Sequence, residues 1–228
     1  MPACRGFTLT TTLCVVPLPV QALTIGGLEF EDRRVSYAQV AELRAAGQLP
    51  NGQVPMLEID GARFGQSNAL LAWAGRRAGL YPDDLQLLID AAEGTLADIV
   101  CALNPQWYGS ALPRNPRTGK LVPGAMLDAS QLSAVQRALN EDILPARFEQ
   151  LEAMLMASGG PYMCGSQLTM CDLSLYVLGR GLRSATGDPA TDYCAGIAPS
   201  VLDHCPKLLA LLEHVGKHEK VAMWNDAH

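Results

Sequence analysis

With 228 residues, 49% of them hydrophobic and 18% charged, the chain can build one large core or two small ones and lacks the composition of a disordered protein. A net charge of −6 argues against the basic face that nucleic-acid binding requires. The seven cysteines are odd in number and include no CxxC pair, which points to reduced thiols in a cytoplasmic protein rather than a disulfide framework.

Arg5 followed by FTLTTTLCVVPLPVQAL has the outline of a signal peptide. Pro17 and Pro19 break its apolar run, no small-x-small cleavage pattern follows, and the run is too short to span a membrane. The stretch reads instead as a first strand and its crossover. Phe7 to Thr12 alternates apolar residues with threonine, the period of a half-buried strand. Leu13 to Pro19, with two prolines, cannot be regular helix throughout, and Val20 to Ile25 can start or complete a short helix stopped by Gly26-Gly27. Leu28 to Val35 reads as a second strand and Tyr37 to Ala46 as a short helical or irregular segment. In Asn51 to Pro82, Asp60-Gly61 between two apolar runs signals a two-residue hairpin. A helix begins at Ser67, carries Leu70, Leu71, Trp73, Ala74 and Ala78 at helical spacing, and ends at Gly79. The order is β-α-β-α-β-β-α, an α/β thioredoxin-like arrangement.

Two features of this stretch suggest a ligand. Ser67 is placed as an N-cap, yet Leu70 stands where a capping-box carboxylate would close the helix start. The free N–H groups there suit a ligand carboxylate. Val54-Pro55 at a strand mouth favours a cis bond and an outward edge able to pair with a peptide-like ligand.

Pro82-Asp83-Asp84 marks a composition break, dividing residues 1–82 from an all-α domain at 85–228. Leu85, Leu88, Ile89, Ala92, Leu96, Ile99, Val100 and Leu103 form one helical stripe. Pro105 to Gly124 reads as a long loop. Helices follow at Ser130 to Leu144 and Ala146 to Ala157, with Pro145 at a kink or break between them. Thr169 and Asp172 form a capping box, stapled by Leu168 and Leu173, that opens a buried helix. Pro206 to Val215 and a tail ending at Trp224 complete the helical domain. His214 and His218 stand four residues apart on a late helix without a third partner, so no metal site is expected.

GQVPMLEIDG followed by QSNALLAWAGRRAGLYP resembles the glutathione-binding half of a cytosolic glutathione transferase, closest to the sigma-type group. The resemblance runs from Leu28 to Trp224. It implies glutathione as co-substrate, a homodimer, and conjugation of small hydrophobic electrophiles through a stabilised thiolate. By resemblance, the Val54 main chain beside Pro55 pairs with the cysteinyl part of glutathione. Gln66 and Ser67 hold the γ-glutamyl carboxylate, Gln53 lies beside the glycyl end, and Arg44 meets the glycyl carboxylate. Asp90 or Glu93 from the partner subunit would meet the γ-glutamyl amine. Trp107 and Tyr108 are available to an electrophile pocket.

A free thiol near its ordinary value is mostly protonated at neutral pH, so a hydroxyl donor or a helix N-terminus must stabilise the thiolate. The family places a tyrosine or serine at the end of the first strand, and residues 1 to 35 contain neither. Thr11 is the expected donor, with Thr10 and Thr12 as local alternatives. Cys14 supports a rival reading, glutathione-dependent thiol transfer, although Val15-Val16-Pro17 follows it where that branch has Cys-Pro. A further alternative is a glutathione-transferase-like binding protein that lost its hydroxyl. Cys101, Cys164, Cys171, Cys194 and Cys205 read as structural or incidental.

Overall fold

The structure, a computed structural model, describes residues 7–12, 18–110, 127–183 and 194–227. These residues form two compact units. In the first, β1 (Phe7–Thr12) is the centre of a four-stranded sheet of order β2-β1-β3-β4. It runs parallel to β2 (Glu31–Val35) and antiparallel to β3 (Met56–Ile59), which pairs antiparallel with β4 (Ala62–Phe64). The helices are α1 (Leu18–Ile25), α2 (Tyr37–Ala45) and α3 (Ser67–Ala78).

The first strand and the hairpin form where the sequence pattern places them. Asp60 and Gly61 both take positive φ, 49° and 81°, the geometry of a two-residue turn that matches strand twist. The second strand is shorter than its apolar pattern suggests, starting at Glu31 rather than Leu28. The Leu28 N–H is used to close α1, donating to the Leu23 carbonyl at 3.0 Å while Gly27 takes φ 69°. Phe30 stacks on Phe7 with ring centroids 6.0 Å apart. Residues 28–30 therefore finish one helix and pack an aromatic before pairing begins. The segment after Val35 is a helix with a capping box that the sequence reading missed: the Gln39 N–H bonds to Ser36 Oγ, and the Ser36 N–H bonds to Gln39 Oε1.

α1 and α3 approach so closely that a Cβ on Gly26 would meet Ala78 Cβ at 2.5 Å. On the other side of the sheet Val35, Val40, Leu49 and Met56 form a small cluster, with Leu43 and Val54 packed against it. The last helix, α9 (Glu219–Ala227), also packs on α1 and buries Val221 and Trp224.

The second unit is helical: α4 (Gln86–Ser110), α5 (Ala129–Ala138), α6 (Leu144–Ser158), α7 (Met170–Arg183) and α8 (Pro206–Lys217). Ile89, Ala92, Leu96, Ile99 and Leu103 of α4 are buried, as the stripe predicts, whereas Leu88 and Val100 of the same stripe are exposed. The loop expected from Pro105 begins later, because α4 continues to Ser110. Proline's fixed φ is helical, and within an already nucleated helix it forfeits one hydrogen bond and strains the turn before it. The remainder of that predicted loop, 111–124, lies outside the described residues. Pro145 does not break the next helix either. A π-helical turn at Leu139–Ile143 joins α5 to α6, and Pro145 sits in the first turn of α6, where a missing N–H costs little. Within that turn Asn140 clamps a distant segment, its Nδ2 donating to the Gly196 carbonyl and its Oδ1 accepting from the Ala198 N–H. Glu152 of α6 caps α8, accepting from the N–H groups of Lys207 at 2.9 Å and Leu208 at 2.7 Å.

The box at the start of α7 is more centred on its carboxylate than the sequence suggests. Asp172 Oδ2 accepts from the Thr169 N–H at 2.8 Å and the Thr169 hydroxyl at 2.7 Å. Its Oδ1 accepts from the Met163 N–H at 2.7 Å. The Thr169 side chain donates to Asp172 instead of capping the helix, so only one arm of the expected reciprocal box is made. Asp172 is fully buried, and burial raises its carboxyl above the ordinary range against the lowering effect of these bonds. Asp172→Ala strands two backbone N–H groups and is expected to destabilise the protein by roughly 3 kcal/mol. Urea denaturation checks this, and a loss under about 1 kcal/mol contradicts the assignment.

A second carboxyl, Glu93 on α4, accepts a 2.6 Å hydrogen bond from the Ser174 hydroxyl. Burial is the main cause that pushes its pKa from 4.5 to about 7, with Asp90 and Asp172 adding to it. The folded state holds this proton more tightly than the unfolded state. The contribution to stability is complete below pH 4.5 and is lost as pH rises through about 7. The swing is on the order of 3 kcal/mol. Glu93→Gln is expected to flatten that slope and to be the more stable protein at pH 8. Denaturation at pH 5 and pH 8 tests it, and an unchanged slope refutes it.

Candidate functional site

The sheet topology gathers the predicted binding residues at one end of the first unit. β1 and β3 are antiparallel with Thr10 opposite Met56, so the chain before Met56 runs beside the C-terminal end of β1. That chain is Gln53, Val54 and Pro55. β4 returns antiparallel with Phe64 opposite Leu57, which brings Gly65, Gln66 and the start of α3 to the same end.

The Val54-Pro55 bond is cis, as expected. The Val54 side chain packs against the Val35, Val40, Leu49 and Met56 cluster, and its backbone lies beyond the last ladder pair, Thr10 and Met56. Gln53, Val54 and Pro55 are half-buried. Arg44 Nε donates to the Gly52 carbonyl at 2.5 Å, so this side chain also braces the bend leading to Val54. Asn51, which the sequence did not single out, lies over Gly65: a Cβ there would meet Asn51 Nδ2 at 2.7 Å. The bend and the start of α3 thus approach so closely at Gly65 that a side chain there would collide with Asn51.

Ser67 is not the N-cap expected of it; it is the first residue of α3. Gln66 occupies the cap with φ 75° and ψ 106°, and no side chain caps the helix. That backbone is rarely adopted outside glycine, and strain of this kind clusters at ligand sites. Gln66 and Ser67 are exposed, and the first turn contains no acidic residue. Its N–H groups and the positive end of the dipole are therefore available to an anion. At the opposite end, Arg76 and Arg77 complement the dipole, Arg76 lying 4.2 Å from the centre of the Tyr81 ring and Arg77 5.1 Å from that of Trp73.

The hydroxyl candidates differ from this open edge. Thr10 and Thr11 are 1% and 2% exposed, and neither Oγ1 has a hydrogen-bond partner. Adjacent strand residues point to opposite faces, and both faces of this central strand are covered. Cys14 lies outside the described residues. Glu93 is engaged with Ser174 inside the second unit. Trp107 and Tyr108 fall within α4 instead of a loop. His218 is the extended C-cap of α8, so it does not share a helical face with His214, whose ring lies 5.0 Å from that of Tyr162. An open polar cleft of about 260 Å³ lined by Arg33, Gln39, Glu42, Leu43, Ala46 and Gln48 contains none of the predicted site residues. Among the described residues, no helix is long and apolar enough to cross a membrane.

Known proteins give this geometry its setting. Residues 126–228 match the family model for the C-terminal domain of glutathione S-transferase. "Glutathione S-transferase 2" of Manduca sexta is 44% identical over 68 residues, 30% of this chain and 32% of that protein, so the alignment spans about a third of the relative. "Glutathione S-transferase A1" of Bos taurus is 29% identical over 196 residues, covering 85% of this chain and 75% of the relative. In fold, the chain matches the crystal structure of monomeric Na-GST-3, a glutathione S-transferase of the hookworm Necator americanus. That match has a TM-score of 0.75 at 23% identity and covers 98% and 97% of the two chains. A four-stranded mixed sheet followed by helices, the site at the end of that sheet, and these likenesses agree: residues 126–228 carry the glutathione S-transferase C-terminal domain, and the chain is similar over most of its length to cytosolic glutathione transferases, whose co-substrate is glutathione.

Proposed function

We propose that this protein conjugates glutathione to small hydrophobic electrophiles, binding the tripeptide at the start of α3. The observation that carries this reading is the uncapped, acid-free first turn of α3 beside the bend at Val54-Pro55. The γ-glutamyl carboxylate would sit on the first-turn N–H groups with the Gln66 and Ser67 side chains, and the Val54 main chain would pair with the cysteinyl part. Gln53 and Arg44 stand toward the glycyl end, with Arg44 also bracing Gly52. Residues 1–82 are assigned to glutathione binding and residues 85–228 to the helical domain, in a cytoplasmic homodimer.

Thr11 is the proposed thiolate donor. It stands at the C-terminal end of β1, and its hydroxyl has no partner to give up. A hydrogen bond to the charged sulfur lowers the thiol pKa and raises the reactive fraction. Thr11→Val is expected to lower kcat with a chloronitrobenzene acceptor about a hundredfold while leaving glutathione affinity nearly unchanged. Equal turnover in the two proteins removes Thr11 from catalysis. The burial of Thr11 favours a second reading, a glutathione-binding protein with little turnover. Capture on immobilised glutathione without conjugation selects that reading.

Gln66 allows binding to be separated from folding. Gln66→Gly relieves the positive φ, so stability should stay within about 1 kcal/mol of the parent or rise. Loss of the side-chain contact should weaken glutathione binding about tenfold, on the order of one hydrogen bond. Calorimetric titration with glutathione beside a thermal melt reads both, and undiminished affinity refutes the role given to Gln66.

A further inference from the structure

We propose that Cys164 and Cys171 form an oxidisable dithiol, a modification site at which a peroxide converts the two thiols to an intramolecular disulfide. Their sulfurs are 3.7 Å apart in the second unit, and Cys171 Sγ is 3.1 Å from Thr169 Oγ1. A disulfide needs about 2.05 Å, so the gap must close by roughly 1.7 Å. Cys164 sits in a tight turn closed by reciprocal Tyr162 and Gly165 hydrogen bonds of 3.1 Å, and Cys171 is in the first turn of α7. Asp172 grips both sides of the pair, through the Met163 N–H on the turn and the Thr169 N–H before the helix, so the two sulfurs are held together.

The chemistry distinguishes the partners. The hydrogen bond from Cys171 is the main cause that holds the Cys164 thiol below its ordinary value, while the same bond and burial hold Cys171 well above. Cys164, 6% exposed, is therefore the attacking sulfur, and Cys171, fully buried, the resolving one. The Cys164 thiolate attacks one peroxide oxygen and the O–O bond breaks. The sulfur becomes a sulfenic acid, and the departing hydroxide takes up the thiol proton as water. The Cys171 sulfur then attacks Cys164, the S–S bond forms, the S–O bond breaks, and the hydroxyl leaves with the Cys171 proton as a second water. Two thiols and one hydrogen peroxide give one disulfide and two waters. Cys205 provides a contrast: it is buried, and its thiol is pushed up to about 11, chiefly by burial.

The two cysteines fall in one tryptic peptide, residues 148–180, because no lysine or arginine separates them from its ends. Reduced full-length protein is treated with hydrogen peroxide, denatured, alkylated with iodoacetamide, digested and weighed. The expected result is a single 148–180 peptide that carries no alkyl group and gains two after dithiothreitol, while the 184–207 peptide, which holds Cys194 and Cys205, carries both alkyl groups throughout. In Cys171→Ser, the Cys164 sulfenic acid should persist and be captured by dimedone. Should that variant not fold, the wild-type peptide map decides alone. A 148–180 peptide carrying both alkyl groups after the exposed Cys101 has been oxidised overturns the proposal. So does irreversible loss of alkylation, or a disulfide joining this peptide to another.

Discussion

The first unit depends on β1 being covered on every side. It has sheet partners at both edges and packed layers on both faces, so its residues have no route to water along most of their length. Such a strand fixes where β3 must begin, where β4 must return and where α3 must start. The same coverage buries two threonine hydroxyls without partners, at a cost that apolar residues would not incur. A ligand sulfur arriving at the end of the strand would supply a missing partner for Thr11. The burial that makes the strand a reliable scaffold is thus linked to the chemistry proposed at its tip.

The rigid and open parts of the site divide along the same line. Val54 is anchored by its side chain in an apolar cluster, while its backbone lies beyond the last ladder pair. Arg44 ties the bend to α2, and Asn51 closes over Gly65. The start of α3 remains uncapped in the middle of these supports. A helix end left without a cap forgoes stabilisation of about 1 kcal/mol, and the strained backbone of Gln66 adds to that deficit. Their concentration at one place is what separates this helix start from that of α2, which is fully boxed.

Much of this was legible in the sequence, for local reasons. Phe7–Thr12, the Asp60-Gly61 turn and the Gly79 helix end follow from period and turn chemistry that neighbouring residues do not override. The cis bond at Pro55 was also anticipated, because proline alone among the residues tolerates cis at little cost, although a trans proline opening an edge strand has the same sequence. The start of β2 was not, since Leu28 to Phe30 have strand composition but are used by α1 and Phe7. Pro105 and Pro145 were read as punctuation, yet an established helix passes through one and a π-helical turn prepares the other. Ser67 was displaced from the cap by a Gln66 backbone that no pattern announces. Asn51 and Asn140 act through residues far away in sequence, and their partners leave no periodic trace. The cysteine pair was hidden for a similar reason: spacing of seven carries no signal until a turn folds one sulfur against a helix start.

The packing of α9 on α1 has a consequence for how the first unit can exist by itself. Val221 and Trp224 bury apolar surface on a helix that lies two hundred residues earlier in the chain. A fragment ending at Pro82 therefore exposes a bare apolar face on α1, although it contains every strand of the sheet. During synthesis that face stays uncovered until the whole helical segment has been made. Over that interval it is a surface for chaperones, or for another unfinished chain.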